Sequence, residues 1–139
     1  MDLRIYLYDK LVSDARAIRQ EVFAYGDEGF DKRENKSVHV HIYDGGTLVS
    51  YGRMFCDESG DAIIDNVCVR ESHRNKKLGR RAVLALEEDA NKSGAMKAKV
   101  KATPGTAGFF EKLGYIADDS GADGDIPMSK EFAVKIKFH

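Results

Sequence analysis

The sequence predicts one mixed α/β domain, in which a mostly antiparallel central sheet of about six to seven strands is flanked by helices. The chain has 139 residues, which is enough for one full core and too few for two ordinary domains. Segments with alternating apolar side chains are interleaved with segments of helical spacing. Hydrophobic residues make up 42% and charged residues 32%, a profile typical of globular proteins rather than disordered or fibrous ones.

The first predicted elements are a strand and an amphipathic helix. Residues 3–8 alternate in the manner of a strand. Residues 11–25 carry apolar side chains at helical spacing, and Gly26 follows as a stop signal. Residues 26–37 contain charges and glycines without periodicity, which predicts a long surface loop. A loop of this length in a small domain is more often functional or mobile than inert.

A meander of three strands is predicted after this loop. Residues 38–43 and 47–55 are strand-like, and they flank Asp44-Gly45-Gly46, the strongest hairpin signal in the chain. Residues 62–69 have apolar side chains on both faces, as in a central strand that is covered on each side. The meander therefore supplies the antiparallel part of the sheet.

The remaining elements alternate between helix and strand. Residues 80–92 predict an amphipathic helix with the acidic residues 87–89 on its polar side. Residues 96–102 predict a strand, residues 104–113 a short helix that begins at a proline, and residues 131–139 a last strand. Because a helix joins the third meander strand to the next strand, these two strands should be parallel, with a right-handed crossover.

Composition excludes several classes of function. The net charge is −1, with 22 basic and 23 acidic residues, so no global field attracts nucleic acid or an anionic membrane. Apolar runs are short, and the N-terminus lacks the pattern of a secretory signal, so we expect a cytoplasmic protein. Cys56 and Cys68 do not form a CxxC motif, and no pair of histidines lies at zinc spacing from them. We therefore expect reduced, buried thiols and no metal.

The basic turn RNKKLGRR, residues 74–81, follows the strand predicted at 62–69 and precedes a helix. Unpaired amides and the helix dipole favour an anion at this position. Gly79 permits close backbone approach, and five side chains add positive charge: Arg74, Lys76, Lys77, Arg80 and Arg81. The turn fits a pyrophosphate, although a solvated basic turn would have the same pattern. It is neither a P-loop, GxxxxGK[ST], nor a Rossmann GxGxxG motif.

These features resemble the GNAT acyltransferases, whose element order agrees with this chain over nearly its whole length. The family carries Arg/Gln-x-x-Gly-x-Gly/Ala between its fourth strand and the following helix. This chain matches the pattern at Arg74 and Gly79, and Lys77 stands at the first glycine position. Val69 stands where the family has the last valine of the fourth strand.

Two further segments support the resemblance. FFEKLGY at 109–115 is similar to the family's FYxKxGF. Residues 17–31, together with His39, are similar to the ElaA-like subgroup, in which a VF-rich helix end precedes an acidic loop. The VEQ that usually follows that helix is absent, and the IGRV of the fourth strand reads IDNV at residues 64–67.

The resemblance implies an acetyl-CoA-dependent N-acetyltransferase that acts on a primary amine of a small molecule or peptide, without a metal. In the family, backbone groups of the fourth strand bind the pantetheine and orient the thioester; here these are Val67, Cys68 and Val69. The following loop would donate amides to the pyrophosphate; its residues are Arg74, Asn75, Lys76, Lys77, Leu78, Gly79 and Arg80.

The reaction itself requires an oxyanion donor and a route for a proton. Attack on the thioester builds negative charge on the carbonyl oxygen, which the backbone amide of Val67 or a neighbour would stabilise. An alkylammonium has a pKa of about 10.4, so a base or a water chain must deprotonate it before attack. Asp65 is the first candidate base; it could instead pair with Arg53 or cap a bulge. His39 and His41 are alternatives.

One departure concerns release of the CoA thiol. Many family members have a tyrosine, thought to protonate the thiolate, where this chain has Phe110. A thiol pKa of about 8.5 makes the thiolate a tolerable leaving group without an acid. Water or Tyr51 would then serve, or activity would be weak. Phe109 and Phe110 otherwise fit core aromatic residues that pack the short helix, and Phe110 would lie beside the cofactor.

Acceptor choice and assembly are less constrained by the sequence. Asp27, Glu28 and Asp31 would suit a cationic acceptor, but they equally fit a solvated loop. Residues 118–130 resemble the subgroup's IPH segment without its histidine. Two other functions compete with the enzyme: a CoA-binding sensor or partner protein that has lost turnover, and a phosphate- or RNA-binding module. A monomer and a homodimer both fit the sequence.

Overall fold

The computed structural model of the protein describes residues 1–118 and 124–133. Within these residues seven strands form one sheet, in the order β1-β2-β3-β4-β5-β7-β6. The strands are β1 (Leu3–Tyr8), β2 (Val38–Asp44), β3 (Thr47–Cys56), β4 (Ala62–Val69), β5 (Lys97–Ala102), β6 (Ile116–Ala117) and β7 (Ile126–Glu131). The α-helices are α1 (Ser13–Phe23), α2 (Leu78–Lys92) and α3 (Ala107–Lys112). None of the helices within the described segments is long and apolar enough to span a membrane.

Strand pairing confirms the predicted mixed sheet. Every neighbouring pair of strands among the described residues is antiparallel except β4 and β5, which α2 connects and which run parallel as expected. The β4–β5 register contains only Ala62 opposite Ala98 and Ile63 opposite Lys99. Beyond Ile63 the two strands are no longer paired, so the sheet opens into a cleft at the carboxyl end of β4.

The two faces of the sheet carry separate apolar clusters. The larger cluster joins α2 to the sheet and contains fully buried Val40, Ile42 and Leu86. The smaller cluster joins α1 to the other face, where Ile18 packs with Tyr51 and others. Because side chains alternate along β2, the two histidines that flank Val40 point to the α1 face. The sheet is therefore covered on both sides at its centre, as the apolar pattern of β4 predicts.

A β-bulge in β4 interrupts pairing with β3 next to the cleft. Arg53 pairs with Asp65 and Tyr51 with Cys68, so the single residue between them on β3, Gly52, faces two residues of β4. A Cβ atom at Gly52 would lie 3.2 Å from Leu86 Cδ1 and 3.3 Å from Val40 Cγ1. A larger residue at this position would therefore force the side chains of Leu86 and Val40 to shift by a few tenths of an ångström.

The end of the chain differs from the sequence prediction. Of the strand predicted at 131–139, Glu131 is the last residue of β7, residues 132 and 133 are not in a strand, and residues 134–139 lie outside the described residues. Pro127 weakened the strand signal of β7, but its carbonyl accepts a hydrogen bond from the Asp118 amide. The two-residue strand β6 was too short to be recognised by alternation.

Two side chains lie in environments that the sequence analysis did not predict. Glu87 was assigned to the polar side of its helix, yet it is only 6% exposed. It accepts hydrogen bonds from Tyr115 Oη at 2.9 Å and Lys130 Nζ at 2.6 Å, so distant partners stabilise the buried carboxylate. Cys56 is exposed rather than buried because it ends β3, whereas Cys68 is buried.

Candidate active site

Two cavities open where β4 separates from β5. The first, of about 770 Å³, lies towards β5 and β7, and the second, of about 850 Å³, lies against the start of α2. Val67 and Thr106 line both cavities. The two cavities therefore adjoin each other at the β4 bulge.

The bulge leaves the backbone of β4 unpaired at the junction of the two cavities. Asn66 has a left-handed conformation, with φ at 53°, and neither Asn66 nor Val67 has a partner in the β3 or β5 register. An amide that is freed from its neighbours in this way is available to a ligand. This is the position at which the sequence analysis expected an oxyanion donor.

The basic turn has an unusual backbone before α2. Asn75 and Lys77 both have positive φ, 63° and 62°, and α2 begins directly after them at Leu78. Lys77 therefore adopts the conformation that the family's glycine would adopt without strain. Alternation of this kind turns successive amides towards one side, as in anion-binding nests.

Hydrogen bonding in this turn leaves a row of free donors. The first amide of the helix with a backbone acceptor is that of Arg81, which donates to the Lys77 carbonyl at 3.1 Å. The amides of residues 75–80 have no acceptor within the described parts of the chain. At Gly79 a Cβ would meet only the Phe109 ring and Val69 at 3.5–3.6 Å, ordinary contacts, so protein packing alone does not require glycine. The free space and the free amides together fit a phosphate group.

The structure brings most of the predicted cofactor residues together. The second cavity is lined by Val67, Cys68, Val69, Arg74, Asn75, Lys77, Leu78, Gly79 and Arg80, among others. Lys76 is exposed and does not line either cavity. Phe110 lines the first cavity, is 7% exposed, and packs edge-on against Tyr115 with ring centroids 5.4 Å apart.

Asp65 lines the first cavity but is bound to an arginine, which is the alternative that the sequence left open. Arg53 donates to both carboxylate oxygens, from Nε at 2.7 Å and from Nη2 at 2.6 Å. The Asp65 side chain is 33% exposed, whereas that of Arg53 is 2% exposed. The pair therefore has one end in the core and the other at the cavity wall.

Arg53 belongs to a buried ionic network that also contains Arg19 and Glu34. The two arginines flank the Glu34 carboxylate: Arg19 Nη1 donates to Oε1 at 2.7 Å, and Arg53 Nη1 lies 3.0 Å from Oε2. Burial disfavours the charged form of Glu34, but the hydrogen bonds and charges of the two arginines outweigh it and lower the pKa. Arg53 also contacts Asp31, whose pKa is lowered to about 2, chiefly by hydrogen bonds from Arg33.

Tyr51 lies on the α1 face of the sheet and is fully buried, away from both cavities. Its hydroxyl is hydrogen-bonded to His39 Nδ1. Because His39 Nε2 lies 2.9 Å from the Glu34 carbonyl oxygen, which can only accept, Nε2 carries the hydrogen and Nδ1 accepts from Tyr51. Burial raises the pKa of Tyr51 and lowers that of His39. The structure does not bring Tyr51 to the cleft.

His41 is also fully buried and does not line either cavity. Neither ring nitrogen has a hydrogen-bond partner within the described residues. Its ring packs on Tyr8 and Tyr51, with centroids 4.9 and 5.5 Å away. Burial lowers the pKa of His41 to about 4, so the ring is neutral at physiological pH.

The carboxylates of Asp27, Glu28 and Asp31 do not line the first cavity, although Arg33 of the same loop does. Asp27 lies 3.6 Å from Arg16 in an exposed pair, and Glu28 accepts from the Gly26 amide. Asp31 caps the turn at residues 32–36 and binds arginines. The cavity is instead lined by four aromatic rings, Phe23, Tyr25, Phe55 and Phe110, and by charged side chains that include Arg33, Lys99 and Lys101. The expected attraction of the loop carboxylates for a cationic acceptor therefore has no counterpart in this lining.

Several residues of the site were missed by the sequence analysis. Arg19 is the centre of the buried network. A signal was present, because Arg19 lies four residues after buried Ala15 in α1 and therefore on the apolar side of the helix. Glu34 stands three residues after Asp31, the spacing of the capping box that the structure contains. No local signal identifies Tyr25 or Asn66, because their contact joins residues 41 positions apart.

Comparison with known proteins agrees with this architecture. The family model described as "Acetyltransferase (GNAT) family" matches residues 5–115. The chain is 32% identical over 130 residues to the "Uncharacterized N-acetyltransferase YjcF" of Bacillus subtilis (strain 168), covering 86% of this chain and 89% of that protein.

Solved structures show the same fold. Escherichia coli ElaA superimposes with a TM-score of 0.78 at 18% identity, over 93% of this chain and 99% of that one. A GNAT family acetyltransferase from Elizabethkingia anophelis with acetyl-CoA bound has a TM-score of 0.79 at 12% identity, over 94% and 99% of the two chains. With the family match over residues 5–115 and the YjcF relative, the fold and the cleft identify the chain as a member of the acetyltransferase (GNAT) family.

Proposed function

We propose that the protein binds acetyl-CoA in the second cavity and transfers the acetyl group to a primary amine held in the first. The observation that carries this proposal is the row of free amides at residues 75–80, in a turn that lines the same cavity as Val67. The bound acetyl-CoA in the Elizabethkingia relative supports the choice of ligand.

The pyrophosphate of the co-substrate would lie at the N-terminus of α2. Backbone amides supply directed donors there, and the helix dipole adds a favourable field. The exposed side chains of Arg74 and Arg80 line the same cavity and add charge. Glycine at position 79 leaves the space that a phosphate oxygen would need next to the backbone.

The thioester would lie beside the bulge, where the two cavities meet. A fixed amide at Val67 can stabilise the carbonyl oxygen as negative charge builds during attack, because the donor needs no reorganisation. An amine that enters from the first cavity would then face the carbonyl carbon, and holding the two reactants together supplies much of the rate. The aromatic walls of the first cavity favour an acceptor with an apolar body.

Proton transfer from the amine is proposed to use water rather than a single side chain. Asp65 lines the acceptor side, but Arg53 already occupies both of its oxygens. In this proposal Asp65 orders the water that accepts the proton, and Arg53 fixes the carboxylate. The product CoA leaves as a thiolate, since Phe110 has no proton to donate and the Tyr115 hydroxyl is bound to Glu87.

Calorimetric titration with acetyl-CoA tests the proposal, with ATP as the phosphate-bearing control. We expect saturable binding near one ligand per chain, weakened by Arg74→Ala and unaffected by Arg4→Ala, an exposed arginine on β1. Release of free thiol in the presence of an amine panel then tests turnover. Binding without thiol release would favour a CoA-binding sensor, and no binding at millimolar ligand would exclude both functions.

A further inference from the structure

We propose that Arg19 is a positioning residue for the acetyl-transfer step, and that it acts through Tyr25 on the β4 bulge. The inference rests on the proposed function, because it assigns a role to the bulge in orienting the thioester. Arg19 does not line either cavity. Its effect must therefore pass through the side chains that it holds.

Arg19 is held at every nitrogen of its guanidinium. Its side chain is completely buried, and Nε donates to Tyr25 Oη at 2.6 Å. Nη1 and Nη2 donate to the two oxygens of Glu34, at 2.7 and 3.0 Å, and Nη2 also donates to the Gly29 carbonyl at 3.0 Å. A planar guanidinium with this many partners has one permitted orientation.

Tyr25 transmits that orientation to the bulge. Its hydroxyl accepts from Arg19 and, having one hydrogen, donates it to Asn66 Oδ1 at 3.2 Å. The other end of the Asn66 amide, Nδ2, donates to Asp65 Oδ1 at 3.1 Å. The side chain of Asn66 is thus held on both sides, and its amide orientation follows from the direction of the Tyr25 hydrogen.

A second chain of contacts connects Arg19 to the same bulge. Arg53 joins Glu34 to Asp65, and Asp65 lies next to Asn66. Arg19 is therefore connected to the bulge by two chains of contacts, one through Tyr25 and one through Glu34 and Arg53. The network ties α1 and the loop after it to the single segment of β4 that has no strand partner.

The backbone at Asn66 needs such support. A left-handed conformation is unfavourable for residues other than glycine, although asparagine tolerates it best. Asn66 and Val67 have no partner in the β3 or β5 register, and the Asn66 side chain is hydrogen-bonded to Tyr25 and Asp65. A displacement of about 1 Å in a positioning contact can lower a rate by about 100-fold.

The test uses the full-length chain with Tyr25→Phe, which removes one hydroxyl and retains the ring that stacks on Phe23 at 5.6 Å. Tyr6→Phe is the matched control, since Tyr6 lies on the exposed strand β1. We expect Tyr25→Phe to lower kcat by about 10- to 100-fold, with the KM for acetyl-CoA within the range of the control. The Tm should fall as well, because Nε of the buried Arg19 loses its acceptor. Equal kcat values for the two variants would overturn the proposal.

A double variant separates positioning from general loss of structure. Asn66→Gly allows the left-handed backbone but removes the side chain that Tyr25 contacts. If Tyr25 acts through Asn66, adding Tyr25→Phe to Asn66→Gly should leave kcat unchanged. Independent, multiplicative losses would contradict that route. Arg19→Lys should resemble Tyr25→Phe in kcat and should lower the Tm further, because it also loses hydrogen bonds to Glu34 and Gly29.

Two spectroscopic measurements test the positioning role of Arg19 even if the proposed function fails. If the wild type binds acetyl-CoA without turnover, the carbonyl ¹³C shift of the bound thioester should still differ between wild type and Tyr25→Phe. If acetyl-CoA does not bind, the NMR signals of the backbone amides of residues 65–68 are compared between wild type and Tyr25→Phe in the free protein. Identical spectra for wild type and Tyr25→Phe would refute positioning, whereas changes confined to those residues would support it.

Discussion

Gly52 and Asn66 face each other across the bulge between β3 and β4, and each position restricts the residues that fit. A Cβ at Gly52 would lie 3.2 Å from Leu86 of α2, and Asn66 has a φ of 53°. The strand that borders the cleft is therefore shaped from both sides. Leu86 of α2 packs against β3 at Gly52, and Val67 of β4 lines both cavities.

Replacement of Asp65 by asparagine should cost more stability than activity. Arg53 is buried, and the amide of asparagine retains one acceptor oxygen but carries no charge, so a cation almost inaccessible to water loses one hydrogen bond and its counter-charge. We expect Asp65→Asn to lower the free energy of unfolding by about 1–3 kcal/mol, measured by urea denaturation. Thiol release should persist above pH 9, where more of the amine is already deprotonated. Complete loss of turnover at that pH would instead make Asp65 an obligatory base.

Lys77→Gly should stabilise the protein. Lys77 has a φ of 62° immediately before α2, a conformation that costs a lysine about 1 kcal/mol relative to glycine. Lys76→Gly is the matched control, because residue 76 is not among the described residues with positive φ and glycine there only adds entropy to the unfolded chain. We expect opposite signs for the two changes in the free energy of unfolding. A lower value for Lys77→Gly would show that its side chain makes a compensating contact.

Phe110→Tyr should accelerate release of CoA. The ring lines the first cavity beside Val67, so a hydroxyl there would provide a proton for the departing thiolate. The gain should be largest below the thiol pKa of about 8.5 and should vanish above it. Phe109→Tyr is the control, since Phe109 lines only the second cavity. A pH-independent gain, or an equal gain for both variants, would contradict an acid role.

Acidification should destabilise the fold through His41. Its pKa is about 4 in the folded state, below the ordinary value of 6.5, so between these pH values the unfolded chain binds a proton that the folded one does not. Stability should therefore decline as the pH falls from about 6.5 to about 4, by as much as about 3 kcal/mol. His39, whose pKa is also lowered, acts in the same direction.

His41→Leu isolates this contribution, because leucine has a similar volume and does not titrate. Urea denaturation of both proteins at several pH values between 4 and 7 should give a flatter profile for the variant. The carboxylates titrate equally in the two proteins and cancel in the comparison. Parallel profiles would mean that His41 takes up a proton in the folded state as readily as in the unfolded one.

The sequence predicts local structure well where local chemistry determines it. The hairpin at Gly45 has the positive φ, 61°, that its turn signal requires, and the bounds of β4 agree at both ends. The position of the basic turn follows from the same kind of pattern. These features depend on neighbours within a few residues, so one sequence contains the necessary information.

The buried network could be predicted only in part. The pairing of Asp65 with Arg53 was one of the alternatives, and Arg19 falls on the apolar side of α1. Arg19, Glu34 and Arg53 come from a helix, a loop and a strand, so their meeting has no local signal, and charged side chains are ordinarily expected at the surface. Glu87 is a similar case, since Tyr115 and Lys130, 28 and 43 residues away, stabilise its burial. Sequence periodicity reports which side of an element is apolar, but not which polar side chains meet after folding.

Val67 and Thr106 are the residues that line both cavities, so the two cavities are built from almost separate sets of side chains. Under the proposed function these cavities are the donor half and the acceptor half of the cleft. Substitutions at Phe23 or Phe55 can reshape the acceptor half while the turn before α2 stays unchanged. Selection, natural or in the laboratory, can therefore alter the range of acceptors one residue at a time without rebuilding the donor half. The aromatic wall is the place to randomise when a new acceptor is sought.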